Sequence, residues 1–185
     1  AINSVCTSYG SDSVFTTDSI APTVTTSTIT SITSTGASSG GNVTDAGGGT
    51  ISERGVVYST SSNPTTADTK VIDGAATTGS FSSSLTGLSQ GTTYHVRAYA
   101  INGVGTSYGS DSSFTTLDIP TVITSTFNTI TATSANTGGN VTSNGGASLS
   151  ERGVVYSTSP SPTTADTKVI DVATTTGSFS SSLTG

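Results

Sequence analysis

The chain has 185 residues, of which only 9 % are charged; its net charge is −6, its pI is near 4.2, and Ser and Thr are its commonest residues. Five Lys and Arg are too few to displace counterions along a phosphate backbone, which argues against nucleic acid as a partner. No run approaches the ~18 apolar residues that a membrane-crossing helix needs, so no membrane insertion is expected, and no secretory signal segment opens the sequence.

In chain order, residues 1–17 (AINSVCTSYGSDSVFTT) match residues 100–116 (AINGVGTSYGSDSSFTT), so the sequence opens on the end of a repeat. Cys6 aligns with Gly105 and reads as a loop thiol, with an intermolecular bridge as the alternative. Residues 22–30 predict a first strand, since β-branched Thr, Val and Ile favour extended backbone. Ala37, Ser39, Gly41 and Val43 alternate with polar residues and predict a second, stopped by AGGGT at residues 46–50. Gly40 and Gly41 recur as Gly138 and Gly139; without a following Gly-Lys-Ser/Thr or helix they read as turn or bulge glycines. Residues 53–60 predict a third strand whose inward side is open between Val56 with Tyr58 and Val57 alone. Residues 69–73 predict a fourth, and Phe81, Ser83 and Leu85 a fifth that ends before Gly87. In the sixth, Tyr94, Val96, Ala98 and Ala100 are expected to face inward and His95, Arg97 and Tyr99 outward; residues 106–116 predict a seventh.

Residues 52–61 (SERGVVYSTS) return at 150–159 and residues 77–87 (TTGSFSSSLTG) at 175–185, a spacing of 98 residues. That is the size of an independently folding domain, and seven short antiparallel strands within it indicate an all-β, two-sheet sandwich. The chain divides into residues 1–18, the last strand of a preceding repeat; 19–117, a complete repeat; and 118–185, a repeat lacking its last two strands. Phe127, Val141, Phe179 and Leu183 are then expected to lose one wall of their core. The sequence reads as a window on a longer array; donation of residues 1–17 by a neighbouring chain would not replace the whole missing part.

The stretch LTGLSQGTTYHVRAYAINGVGTSYG at residues 85–109 resembles the fibronectin type III family through Leu88, Gly91, Thr92, Tyr94, Val96, Arg97 and Ala98. The resemblance implies tandem seven-stranded sandwiches stacked end to end. It also implies structural roles for Leu88, Val96 and Tyr94, the last a corner whose hydroxyl bonds nearby backbone. The Trp usual on an early strand of that family is absent. RGVVYSTSxxPTTADTK, GSFSSSLTGL and TYHVRAYAINGVGTSYG together resemble repeats of large secreted surface proteins of Bacteroidetes-type bacteria, which implies an extracellular, cell-surface location. The resemblance also brings in the Asp-Ser-apolar tripeptides at Ser13 and Ser19 as candidate O-glycosylation acceptors. The sequons at Asn42 and Asn140 fall in predicted strands and read as structural.

Candidate chemistry is sparse. His95 is the only histidine and reads as a surface strand residue; with no second His or Cys in the repeat, no zinc site or Ser-His-Asp set can be composed. Glu53 and Arg54, repeated at Glu151 and Arg152, read as cross-strand surface pairs. Asp68 and Asp73, repeated at Asp166 and Asp171, read as solvated carboxylates without the spacing of a calcium loop. No metal, cofactor or catalytic activity is expected. The linker containing Pro120 is short and stiff, so repeats should stack as a semi-rigid rod advancing roughly 30–40 Å each. The sequence therefore points to a structural segment of a long extracellular repeat protein, a filament or adhesin stalk whose partners are neighbouring copies. One alternative is a multivalent module binding carbohydrate through Tyr58, Tyr99 and Tyr108; another is a spacer for a secreted enzyme.

Overall fold

A computed structural model describes residues 1–184. Gly185, where the second copy of residues 77–87 ends, lies outside the described residues. The fold is all-β: thirteen strands and no helix among the described residues, every ladder antiparallel.

In the first full copy, β1 (Thr23–Thr26), β2 (Gly36–Asp45) and β5 (Gly79–Thr86) form one sheet in the order β1-β2-β5. The second sheet runs β4 (Thr69–Asp73), β3 (Glu53–Ser59), β6 (Thr93–Ile101), β7 (Thr106–Tyr108), with β8 (Ser112–Thr115) also paired to β6. Ala37 and Leu85 from the first sheet meet Val56, Val96 and Phe114 from the second in one buried cluster, with Leu88 from the β5–β6 loop. A second cluster joins Val24 and Val43 to Ala98, Ala100 and Ile51. The arrangement is sandwich-like, with the apolar half of each period-two pattern turned inward.

Between the clusters the inward face of the first sheet is polar. Ser39 and Ser83 oppose each other there, and neither buried hydroxyl has a hydrogen-bond partner. Phe81 touches both clusters and holds them together.

Several expectations are corrected. The first strand stops at Thr26, after which Thr30 makes one isolated bridge to Ser38. Residues 106–116 form two strands, Thr106–Tyr108 and Ser112–Thr115, and between them at Gly109 the chain passes so close to β1 that a Cβ would overlap Thr26. Gly40 and Gly41 lie in mid-strand with negative φ; a Cβ on Gly40 would strike the Phe81 carbonyl and one on Gly41 the Ala98 methyl of the facing sheet. The pair therefore permits close approach and makes no turn.

Val56 and Val57 are both fully buried, on opposite faces of β3. Val56 enters the inter-sheet core. On Val57's side, Tyr99 is fully buried as well, and so is Pro64 of the β3–β4 loop. That loop is tied down by two contacts: Asn63 N–H donates to Asp111 Oδ2 at 3.0 Å, and Thr66 N–H to Tyr108 Oη at 3.0 Å. The outward placement expected for Tyr99 holds, but the face it occupies is covered.

The second copy repeats these ladders in the same register. β10 (Ser134–Ser143) lies between β9 (Thr121–Thr124) and β13 (Gly177–Thr184), and β11 (Arg152–Tyr156) pairs with β12 (Thr167–Asp171). Of its four core residues, Val141 and Leu183 remain buried, Phe179 is half-buried and Phe127 is 55 % exposed. Residues 1–17 are exposed throughout, with a single bridge between Ile2 and Thr7.

Candidate functional site

A densely bonded polar region lies where the first full copy passes into the second. Thr116 is buried; its hydroxyl donates to Ser89 O at 2.7 Å and accepts from Thr92 N–H at 2.9 Å. Leu117 N–H donates to Thr33 O at 3.0 Å and its carbonyl accepts from Gly91 N–H at 3.2 Å. Asp118 then faces both ways. Its carboxylate accepts from Gln90 Nε2 at 2.8 Å on the preceding copy, while its N–H donates to Gly145 O at 2.7 Å on the following one. The Gln90 hydrogen bond, and after it that from Ile119 N–H, hold the Asp118 carboxyl below its ordinary value.

Two glycines make this closeness achievable. Gly91 and Gly145 have φ of 59° and 66°, and a Cβ on either would run into Asp118. The same geometry recurs one copy earlier, where Ile20 N–H donates to Gly47 O at 2.8 Å and Gly47 has φ of 71°. There Asn102 adds a staple: its buried amide donates to Ile20 O at 2.7 Å and Ala46 O at 2.9 Å, while its Oδ1 accepts from Val104 and Gly105 N–H. Asn102 belongs to no catalytic or ligand motif, although an Asn heading the turn NGVG is a sequence signal for an Asx turn.

The three residues given structural roles come together. Leu88 and Val96 are core members and Tyr94 packs against them, stacked on Phe114 at 6.0 Å and edge-on to Tyr58 at 6.2 Å. Ser89 N–H donates to Tyr94 Oη at 3.1 Å, a bond from the loop back to the strand it precedes. Ser13 and Ser19 are exposed, Ser13 in the opening segment and Ser19 beside the Gly47–Gly48 turn. Asn42 and Asn140 lie within β2 and β10.

Arg54 is not a surface residue. It is 5 % exposed, donates through Nε to Asp73 at 2.7 Å and through Nη1 to Thr77 O at 2.7 Å and Gly79 O at 3.1 Å, and lies over the Phe81 ring. This fork ties β3, β4 and β5, and Arg152 repeats it with Asp171 and Phe179. Asp73 is therefore an ion-pair partner and not a free solvated carboxylate, whereas Asp68 is exposed as expected and accepts Thr65 N–H at 2.9 Å in a turn. Glu53 does pair across strands with Lys70 at 2.8 Å, and it also accepts from the buried Tyr99 hydroxyl at 2.7 Å.

His95 Nδ1 lies 2.9 Å from Asp111 Oδ2, the oxygen that also takes Asn63 N–H. No hydroxyl bonds its other nitrogen among the described residues, so the pair secures a loop. Of the three tyrosines considered for carbohydrate, Tyr99 is fully buried and Tyr108 lies under Arg97 with its hydroxyl held by Thr66, which leaves Tyr58. Cys6 is exposed and free. Among the described residues no three His, Cys, Asp or Glu gather as metal ligands, and no helix is long and apolar enough to cross a membrane.

A scan against protein-family models finds no match to this chain, and a search of the curated proteins finds none either.

Proposed function

We propose that the chain is a non-catalytic, load-bearing segment of a long extracellular repeat protein, in which fibronectin type III-like sandwiches joined head to tail form a filament or adhesin stalk of bacterial surface type. The repeats are residues 19–117 and 118–185, with residues 1–18 the closing strand of the repeat before. The supporting observation is the linker: within Thr116–Asp118 the backbone and side chains are bonded to the repeat behind and, through Gly145, to the repeat ahead. A linker bonded on both sides transmits orientation, which a stalk requires and an independently acting domain does not. Neighbouring copies of the repeat are the partners this reading needs.

The test is a distance distribution between spin labels on Ser82→Cys and Ser180→Cys, exposed positions one on each repeat, in the full chain carrying Cys6→Ser. The native linker should give one narrow peak. The Gln90→Ala, Asp118→Ala double variant should broaden it while circular dichroism stays unchanged. A native distribution already as broad as that of the variant refutes the stalk.

A further inference from the structure

We propose that the hollow between Tyr58 and Tyr94, beside the junction, is a binding site for one pyranose unit of a neutral carbohydrate. The inference goes beyond the stalk and does not depend on it. The hollow has a volume of about 510 Å³ and is lined by Tyr58, Ser59, Thr60, Asp68, Thr69 and Tyr94. That lies within the ~300–1,000 Å³ typical of small-molecule sites. The end of β3, the start of β4 and the start of β6 bring these residues together.

One wall is aromatic and fixed. Tyr94 is stacked on Phe114 and held through its hydroxyl by Ser89, and Tyr58 packs edge-on against it, so both half-buried rings keep their positions. The electron-rich face of such a ring attracts the slightly positive C–H bonds of a sugar. The opposite side offers acceptors and donors for sugar hydroxyls. Asp68 uses Oδ2 for Thr65, while its Oδ1 makes no hydrogen bond among the described residues. The Tyr58 hydroxyl has no partner among them either, whereas the equivalent Tyr156 donates to Thr184 O at 3.1 Å. Tyr94 occupies the space beside Tyr58, and the Tyr58 phenol is the polar atom a ligand would meet. The lining carries one carboxylate and no Lys or Arg, which disfavours phosphorylated or acidic sugars and leaves neutral ones.

The experiment uses the full chain with ¹³C-labelled tyrosine rings, titrated with glucose, galactose, mannose or N-acetylglucosamine to about 50 mM, enough to saturate a site of ~1 mM affinity. At least one sugar should shift the Tyr58 and Tyr94 resonances saturably and leave buried Tyr99 unmoved. Tyr58→Phe keeps the ring, and Asp68→Asn keeps an acceptor for Thr65; each should weaken binding about 3- to 10-fold, the worth of one hydrogen bond. Absence of shifts with all four sugars, or equal affinity in both variants, overturns the proposal.

Discussion

Ser83→Ala should stabilise the protein. Its hydroxyl and that of Ser39 opposite are buried, 8 % and 5 % exposed, and neither has a hydrogen-bond partner. A hydroxyl buried without a partner costs about 1–3 kcal/mol in protein mutational series. Removing one oxygen leaves a void smaller than a methylene, whose packing loss is below about 1 kcal/mol. The balance favours alanine by about 0.5–2 kcal/mol, which raises the midpoint of a domain near 100 residues by roughly 4–8 °C per kcal/mol. Urea melts of the full chain carrying Ser39→Ala, Ser83→Ala or both would measure it, and the double variant need not equal the sum because the two sites touch. The second copy supplies a control of opposite sign. Thr137 occupies the place of Ser39, but its hydroxyl donates to Ser125 O at 3.0 Å, so Thr137→Val should cost about 1 kcal/mol. A lower urea midpoint for Ser83→Ala would show that those hydroxyls are satisfied and that the polar strip between the two apolar clusters costs no stability.

Tyr94→Phe deletes the acceptor for Ser89 N–H and leaves the ring stacked, so it should cost about 0.5–1.5 kcal/mol in the same melts, with native circular dichroism; an unchanged midpoint would remove the structural role given to that hydroxyl. The hydrogen bonds from Lys70 and then Tyr99 hold Glu53 below its ordinary pKa of 4.5. Its contribution is therefore fully present above that value and is lost as pH falls through the lower folded pKa. Melts taken from pH 6 downward should show less loss of stability in Glu53→Gln than in the native chain, and parallel curves would contradict the linkage.

Where the sequence was legible, the period-two signal met an unambiguous partner. β4 occupies residues 69–73 as expected, and the inward series Ala37, Ser39, Val43 and Val96, Ala98, Ala100 is buried. The signal failed where a second layer covers the outer face. Val57 and Tyr99 are as buried as Val56, because Pro64 and its loop fold over them, and strand alternation carries no information about a loop returning from elsewhere. Arg54 was misplaced for a related reason: its charge suggests solvent, but a guanidinium that finds a carboxylate, two carbonyls and a ring can be buried. The mid-strand glycines look in sequence like turn or bulge glycines because their use, letting two sheets close on Phe81, depends on contacts remote in sequence. Of the junction, only its shortness and Pro120 were visible beforehand; the bonds of Asp118 depend on two loops from different repeats.

Asn3 makes, on bare chain, the turn that Asn102 makes on a sheet: its Oδ1 accepts from Val5 and Cys6 N–H at 2.9 Å each, and its own N–H reaches Cys6 O at 3.1 Å. The bend is closed by hydrogen bonds among Asn3, Val5 and Cys6 alone. On a polypeptide emerging from synthesis, each such bend can set before its sheets assemble, with only a few residues' worth of closure entropy to overcome. The Asn102 amide is then already aimed when Ile20 and Ala46 come within reach, and the two hydrogen bonds close without a later adjustment of the turn.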